Sequence, residues 1–471
     1  MSTLPDGLIA IVKRDCPTCT LIEPLLCDLA GLTVYSQDDP AFPGGVPGVI
    51  DDRGLETSYR LGIEIVPILI RMEGGRETAR TYGWDRAEWE RVSGQGGLGP
   101  DLPEMRPGCG SKTQDPGMAE RLAVRFGNTG LQARPISIPA DADPVEACYE
   151  RGWTDGLPVT PPTGERVLAM LDGTNRAPGD IVGVIPPDRV ECTVEKAAIN
   201  AVMAGCRPEY IPVLLSAIEA ALEPEFGLHG IICTTNAVAP VIMVNGPLAR
   251  SIGMNSKGNA LGQGNRANAA IGRAFQLVMR NVGGGRPGGI DRAVFGNPGK
   301  YSFCFAEDED DPHWESYAEE QGFSADASTV TLFPGDGVQP VIEQDAREPE
   351  DLTVTYAACL RTLYHPGQVH DVSAFLVVSP EHAEVFHRAG WSKRQLKDRL
   401  HELLQVPVGE VVRGFATQSP DRGEDLTEGT VPKFKTGSLN LVRAGGSAGL
   451  FSAIISGLGS ITINPVTREI R

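Results

Sequence analysis

Cys16-Pro17-Thr18-Cys19 is the feature that most narrows what this chain can be. An apolar stretch, GLIAIVK from Gly7 to Lys13, precedes it and reads as a short buried strand; an apolar-periodic stretch, TLIEPLLCDLAGL, follows and reads as a helix. At such a junction the first thiol lies among backbone N–H groups that no helical carbonyl uses, near the positive end of the helix dipole. Both favour thiolate over thiol. The three-residue step sets the second thiol one turn further on, where it can close a disulfide once the first has attacked. The competing reading, half of a zinc site, requires a second C-x-x-C or a nearby His at ligand spacing, and the first hundred residues hold neither.

The segments that follow agree with a redox module. LTVYSQ predicts a second strand, Asp38 to Asp52 a Pro/Gly/Asp loop, Leu55 to Leu61 a short helix, and IEIVPILIRM an apolar strand interrupted by Pro67. Because proline donates nothing to a ladder, Val66-Pro67 predicts an edge strand or a cis turn. A third strand is expected near Glu77 to Tyr82 and a closing helix from Asp85 to Val92, before a Gly/Pro-dense boundary from Gly94 to Pro107. With the C-x-x-C between strand and helix and Val66-Pro67 at the expected later position, residues 1–95 resemble the thioredoxin superfamily. The resemblance implies that a cis Pro67 packs beside the Cys pair and that Val66 and Pro67 offer backbone to a substrate. Pro17-Thr18 stands where the commonest thioredoxin pair is Gly-Pro.

Composition bounds the remaining classes. Forty-two Lys and Arg against sixty-one Asp and Glu give a formal charge of −19, so the basic excess that phosphate backbones or anionic lipid would attract is missing, and neither nucleic acid nor membrane is an expected partner. No apolar run approaches a span, and Met1 to Gly7 has neither a basic n-region nor an apolar h-region; a cytoplasmic protein is expected. Ten Cys in 471 residues are too few for a disulfide scaffold.

Behind the boundary lies Gly108-Cys109-Gly110-Ser111-Lys112. Glycine on both sides lets backbone approach the sulfur closely, and Ser111 with the helix expected from Gly117 to Phe126 suggests a local nest that would stabilise a thiolate; an incidental Cys in a Gly-rich linker is the plain alternative. With RGWTDGLPVTPP (151–162), NAVMAGCRPEYIP (200–212), TTNAVAPVIMVNGP (234–247) and NAAIGRAFQLVMRNVGG (268–284), this element resembles the UGSC-type family of selenoproteins and their Cys homologues over most of residues 105–471. In that motif the first position accepts selenocysteine and the fourth is cysteine; here they are Cys109 and Lys112. The resemblance implies a nucleophile at Cys109 with redox or soft-electrophile chemistry, and the missing fourth thiol leaves Cys16 and Cys19 to resolve it.

From 144 onwards helices (193–204, 210–222, 268–282, 380–389, 393–404) and strands (230–234, 241–244, 301–305, 330–333, 373–378) alternate, and LQARPISI before them is strand-like. The acidic stretches Glu307 to Asp326 and Glu343 to Asp351 read as surface loops. Asn200, Cys206, Thr234, Thr235, Asn236, Asn245, Asn265, Arg273 and Asn281 recur near element ends and are candidates for one pocket lining, with Glu195, Lys196 and Glu307 as acid–base candidates; packing, capping and solvated faces explain them equally. Leu439 to Val442, the run Arg443 to Gly449 and LFSAIISGL read as strand, glycine turn and helix, a turn that either binds an anion or packs tightly. His382 and His387 are five apart, off one helical face, and His365 and His370 flank a Pro-Gly turn; no usual ligand spacing is visible, and a metal remains unassigned. Cys206, Cys233, Cys304 and Cys359 lie in apolar segments and read as core residues.

The expected fold class is α/β: a thioredoxin-like domain over 1–95, a linker with the GCGS element over 96–143, and a larger α/β or α+β body over 144–471 that allows a division near 330. The expected activity is that of a thiol-dependent oxidoreductase with no certain cofactor beyond a redox-active disulfide. Cys16 and Cys19 reduce Cys109, Cys109 acts on a small-molecule substrate, and an external thiol reductant closes the cycle; Val66, Pro67, Ser111, Asn200, Asn245, Arg273 and Glu307 are the substrate-binding candidates. Two rivals stand beside it: a Cys-dependent lyase or organometal-cleaving enzyme kept reduced by the C-x-x-C domain, and a redox-sensing or metal-carrying binding protein. A homo-oligomer is left open.

Overall fold

The computed structural model describes residues 4–411, 428–459 and 463–471. The chain divides into two compact α/β units, Met1–Thr129 and Gly130–Arg471. The expected linker at 96–143 is thereby split: its first part, with Cys109, belongs to the amino-terminal unit. A helix at Met118–Phe126 completes that unit, with Phe126 packed 6.2 Å from Tyr59.

The amino-terminal unit is built on β1 (Gly7–Val12), α1 (Pro17–Leu21), α2 (Glu23–Asp28), β2 (Leu32–Ser36), β3 (Ile50–Asp51), α3 (Glu56–Arg60), β4 (Ile65–Val66), β5 (Ile68–Glu73), β6 (Arg76–Tyr82), β7 (Trp84–Asp85), α4 (Arg86–Ser93), β8 (Met105–Arg106) and β9 (Cys109–Gly110). Its main sheet has the order β3-β2-β1-β5-β6, with β1 parallel to β2 and antiparallel to β5. The continuous apolar run of β1 suits a central strand covered on both faces, and Ile9, Ile11, Leu69, Trp84 and Trp89 form part of the core around it. The helix expected after Cys19 is two short ones meeting at Ile22, because Pro24 has no N–H to continue the ladder. Val66-Pro67 is a cis peptide, as is Phe42-Pro43. Pro67 therefore sits at a turn between β4 and β5, and β5 is an interior strand rather than an edge.

The larger unit stacks four layers. One sheet has the strand at 239–245 between those at 304–306 and 329–335, with 466–469 at the edge; the second has 451–458 between 338–342 and 372–378, with 439–443 at the edge. Alternation along the strands separates the layers. Val241, Met243, Phe305 and Phe333 face Phe375, Val377 and Ile455 between the sheets, where Phe333 and Phe375 stack at 3.8 Å between ring centres. Ile242, Val244, Val330 and Leu332 face helices 194–204, 211–221 and 266–281, and Leu376, Leu441 and Ile454 face helices 349–361, 380–388 and 393–403. The chain passes from the first sheet to the second between 335 and 338 and returns to the first at 466–469, within one compact unit.

Three local expectations are corrected. LFSAIISGL is a strand, Phe451–Leu458, because a short apolar run rich in isoleucine fits between two strands as well as on a helix. Gly230 to Thr234 falls largely in the short helix Leu228–Ile232, and LQARPISI, broken by Pro135, forms no strand. Among the described residues no helix is long and apolar enough to cross a membrane.

Candidate functional site

Cys16 is the residue immediately before α1, with extended backbone (φ −143°, ψ 112°), and its sulfur accepts the backbone N–H of Cys19 at 3.4 Å. Pro17 at the first helical position wastes no hydrogen bond there. Cys16 and Cys19 are buried and no disulfide joins them. The Cys16 thiol is brought down to about 5 by the Cys19 side chain as hydrogen-bond donor, helped by the Cys109 side chain and by the backbone N–H groups of Cys19 and Thr18, which together outweigh burial. Burial, and then the negative charge and hydrogen bond of Cys16, push the Cys19 thiol up. The two thiols are thus driven apart in acidity, Cys16 toward thiolate and Cys19 toward the proton-bearing form.

The Cys109 sulfur stands 2.8 Å from that of Cys16, against ~2.05 Å in a disulfide. What brings it there is backbone pairing. β9 adds antiparallel to β4, with Ile65 opposite Gly110 and Val66 opposite Cys109, and the amide of Ser111 donates to the Glu64 carbonyl at 2.8 Å. β8 pairs antiparallel with β7, Trp84 opposite Arg106, and the Thr18 hydroxyl donates to the Pro107 carbonyl at 2.7 Å. The Cys16 sulfur lies 3.7 Å from the Val66 carbonyl oxygen, beside the cis bond to Pro67. Glycine is required at the crossing. A Cβ on Gly108 would stand 2.7 Å from the Val66 oxygen, and one on Gly83, where φ is +65°, 2.7 Å from the Gly108 nitrogen. Burial and the Cys16 charge raise the Cys109 thiol, so with Cys16 ionised the proton between the two sulfurs belongs to Cys109.

Ser111 belongs to a buried polar relay rather than to a thiolate-binding nest. The Gln37 amide donates to the hydroxyls of Ser111 at 2.7 Å and Ser58 at 2.8 Å, and its carbonyl oxygen accepts the Lys112 amide at 3.0 Å. The Ser58 hydroxyl donates in turn to buried Asp52 at 2.6 Å. Gln37 and Thr18 escaped sequence reasoning. The available signal was a glutamine at the end of the strand-like LTVYSQ, where a long polar side chain that becomes buried needs a partner.

The polar candidates of the larger unit occupy separate places instead of lining one pocket. Asn200 accepts from Asn281 at 2.9 Å and donates to the Lys196 carbonyl, bracing two helices. Arg273 makes two 2.8 Å hydrogen bonds to Asp155 and a third to the Pro158 carbonyl, which ties its Nε and Nη2 to the 155–158 turn. Asn245 donates to Glu307 at 2.6 Å, and Glu307 also accepts the Tyr317 amide. Burial raises the Glu307 carboxyl. The acidic stretch that contains it is no surface loop at its start, where Glu307 and Asp308 are buried. Glu195 accepts the amides of Gln132 and Ala133, and Lys196 donates to the Glu191 carbonyl, so both are structural ties. Asn265 caps the helix Arg266–Asn281, and Thr234 and Asn236 fold a turn.

The glycine turn after Arg443 leads into a strand and packs against another loop, Gly446 and Gly258 approaching closely, which removes the helix terminus an anion would have used. His382 is enclosed with Tyr356 and Ser452, at 3.1 and 2.8 Å, and His387 stands 3.4 Å from Asp311. His365 accepts the Gly367 amide. Among the described residues no group of three or more His, Cys, Asp or Glu side chains could hold a metal ion. Neither a family model, nor a curated protein, nor a solved structure matches the chain.

Proposed function

We propose that this protein is a thiol-dependent oxidoreductase in which the Cys16/Cys19 pair reduces Cys109, the cysteine that meets a small-molecule substrate. The observation that carries the reading is the 2.8 Å separation of the Cys16 and Cys109 sulfurs, held by strand pairing at Val66. The chemistry follows from the thiol acidities. The substrate is an electrophile X–Y and is itself the oxidant: the Cys109 sulfur gives up its proton and attacks X, the X–Y bond breaks, Y leaves with the electron pair and takes up a proton, and Cys109 is left as S–X. The Cys16 thiolate attacks the Cys109 sulfur, the S–X bond breaks, X departs with the electron pair and takes a proton from solvent, and a Cys16–Cys109 disulfide forms. Consuming the Cys16 charge removes one of the influences that raise Cys19. Cys19 then loses its proton, attacks the Cys16 sulfur, and expels Cys109 as thiolate. The Cys16–Cys19 disulfide that remains takes two electrons and two protons from an external dithiol, which closes the cycle. Parallel β1–β2 and antiparallel β1–β5 pairing, with the cis bond beside the Cys pair, supports the thioredoxin-like resemblance.

The test is a trap. In Cys19→Ser the last intramolecular step fails, so mild oxidation of the full chain with diamide accumulates a peptide pair joined through Cys16 and Cys109 and two hydrogens lighter than its parts. Recovery of Cys16 joined only to other proteins, with Cys109 still a free thiol, refutes the relay.

A further inference from the structure

The pairing at β4 has a second meaning. An extended segment, 105–111, lies antiparallel along backbone at 64–66 and 84–85 and sets the Cys109 sulfur against that of Cys16, a residue 1% exposed. Addition of a strand to a free backbone edge is a general mode of peptide capture, with main-chain hydrogen bonds for affinity and side-chain sites for selectivity. Here both are present. The Glu64 carbonyl and the Val66 strand supply the main-chain part. Gln37 grips Ser111 and Lys112 on one side of Cys109, and Thr18 grips the Pro107 carbonyl on the other. The Thr113 hydroxyl also reaches the Ile63 carbonyl, extending the hold by two residues.

We propose that the backbone edge at Glu64–Val66, which the thioredoxin-like resemblance offers to a substrate, is held in this chain by its own 105–113 segment, so that a disulfide in another protein reaches Cys16 only after this segment leaves. The inference rests on the redox reading of Cys16 and Cys19 and narrows it: the dithiol is reserved for Cys109. Its external reductant must be either small enough to reach a buried sulfur or able to displace the segment. When a foreign disulfide is admitted, the Cys16 thiolate attacks one of its sulfurs and breaks the S–S bond, Cys19 gives up its proton and resolves the mixed disulfide, and the foreign protein leaves with two thiols, one protonated from Cys19 and one from solvent, while Cys16 and Cys19 become a disulfide.

Gly108→Val tests this in the full chain, because its side chain would have to occupy the space of the Val66 carbonyl and expel the segment. The assay is insulin reduction with dithiothreitol as terminal reductant. The native protein is expected to stay at the dithiothreitol background, and Gly108→Val to exceed it by about tenfold or more, since the competent fraction sets the apparent affinity. The double variant Gln37→Ala/Ser111→Ala loosens the same segment without touching Gly108 and is expected to gain activity in the same direction. Near-UV circular dichroism identifies which variants keep the fold. Insulin reduction by the native protein as fast as by the variants overturns the proposal, as does a folded variant that stays at background. The two readings fail separately. Gain in Gly108→Val without a Cys16–Cys109 disulfide in the Cys19→Ser trap leaves the edge and its occupant standing and sinks the relay; the trapped disulfide together with insulin reduction by the native chain does the reverse.

Discussion

Replacing Cys19 by Ala removes the strongest support of the Cys16 thiolate, its hydrogen bond from the Cys19 side chain. The Cys16 thiol stands at about 5 against an ordinary 9.0, chiefly through hydrogen bonding from Cys19. A hydrogen bond to a charged group is worth about 1.5–3 kcal/mol, and one pKa unit corresponds to about 1.4 kcal/mol, so its loss should raise Cys16 by about one to two units, to about 6–7. Absorbance of the thiolate at 240 nm, titrated in a background where exposed Cys27 is changed to Ser, reads the midpoint directly. The sign is that of an acid stabilised in its charged form. Attack by Cys16 on a fixed electrophile stays level from pH 7 down to about 5 in the native chain and falls about tenfold per pH unit below that; in Cys19→Ala the break moves up by the same one to two units. Cys19→Ser keeps a donor and should recover part of the shift. A midpoint unmoved in Cys19→Ala would mean that backbone N–H groups and Cys109 hold the charge without Cys19, and would refute the division of labour drawn between the two sulfurs.

Two further expectations concern the larger unit. Arg273→Ala leaves Asp155 mostly buried without its cation and should lower stability in urea by about 3–5 kcal/mol, with Arg273→Lys between it and the native chain because lysine cannot make the paired contact; a loss under about 1 kcal/mol would mean the 155–158 turn does not need this anchor. Phe333→Ala opens the contact between the sheets and should cost about 3–5 kcal/mol, and Phe333→Leu less; equal stability of the two variants would argue against the stacked arrangement with Phe375.

The amino-terminal unit was legible because its signals are local. The apolar run of β1, the C-x-x-C behind it and the proline inside IEIVPILIRM each report on a few neighbouring residues, and the cis Val66-Pro67 bond is one of the two forms that reading allowed. What brings Cys109 to Cys16 is not local. The segment around it pairs with a strand more than forty residues earlier, through backbone hydrogen bonds that leave no side-chain signature beyond the glycines at 83 and 108. The larger unit misled in a characteristic way. Arg273, Asn200 and Asn245 look available in a sequence because their partners, Asp155, Asn281 and Glu307, are remote; folding spends those groups on one another. LFSAIISGL shows the other limit, since a buried strand and a buried helix share the same apolar composition and only the flanking strands decide.

Because residues 16 and 109 are parts of one covalent chain, their encounter is unimolecular. A tether of this kind fixes an effective molarity independent of how much protein is present. Under the proposed relay, the rate of the internal exchange per molecule should therefore be unchanged when the protein is diluted, while the step that needs a separate reductant follows the reductant's concentration; the balance between oxidised and reduced forms becomes a reporter of reductant supply rather than of the protein's own abundance.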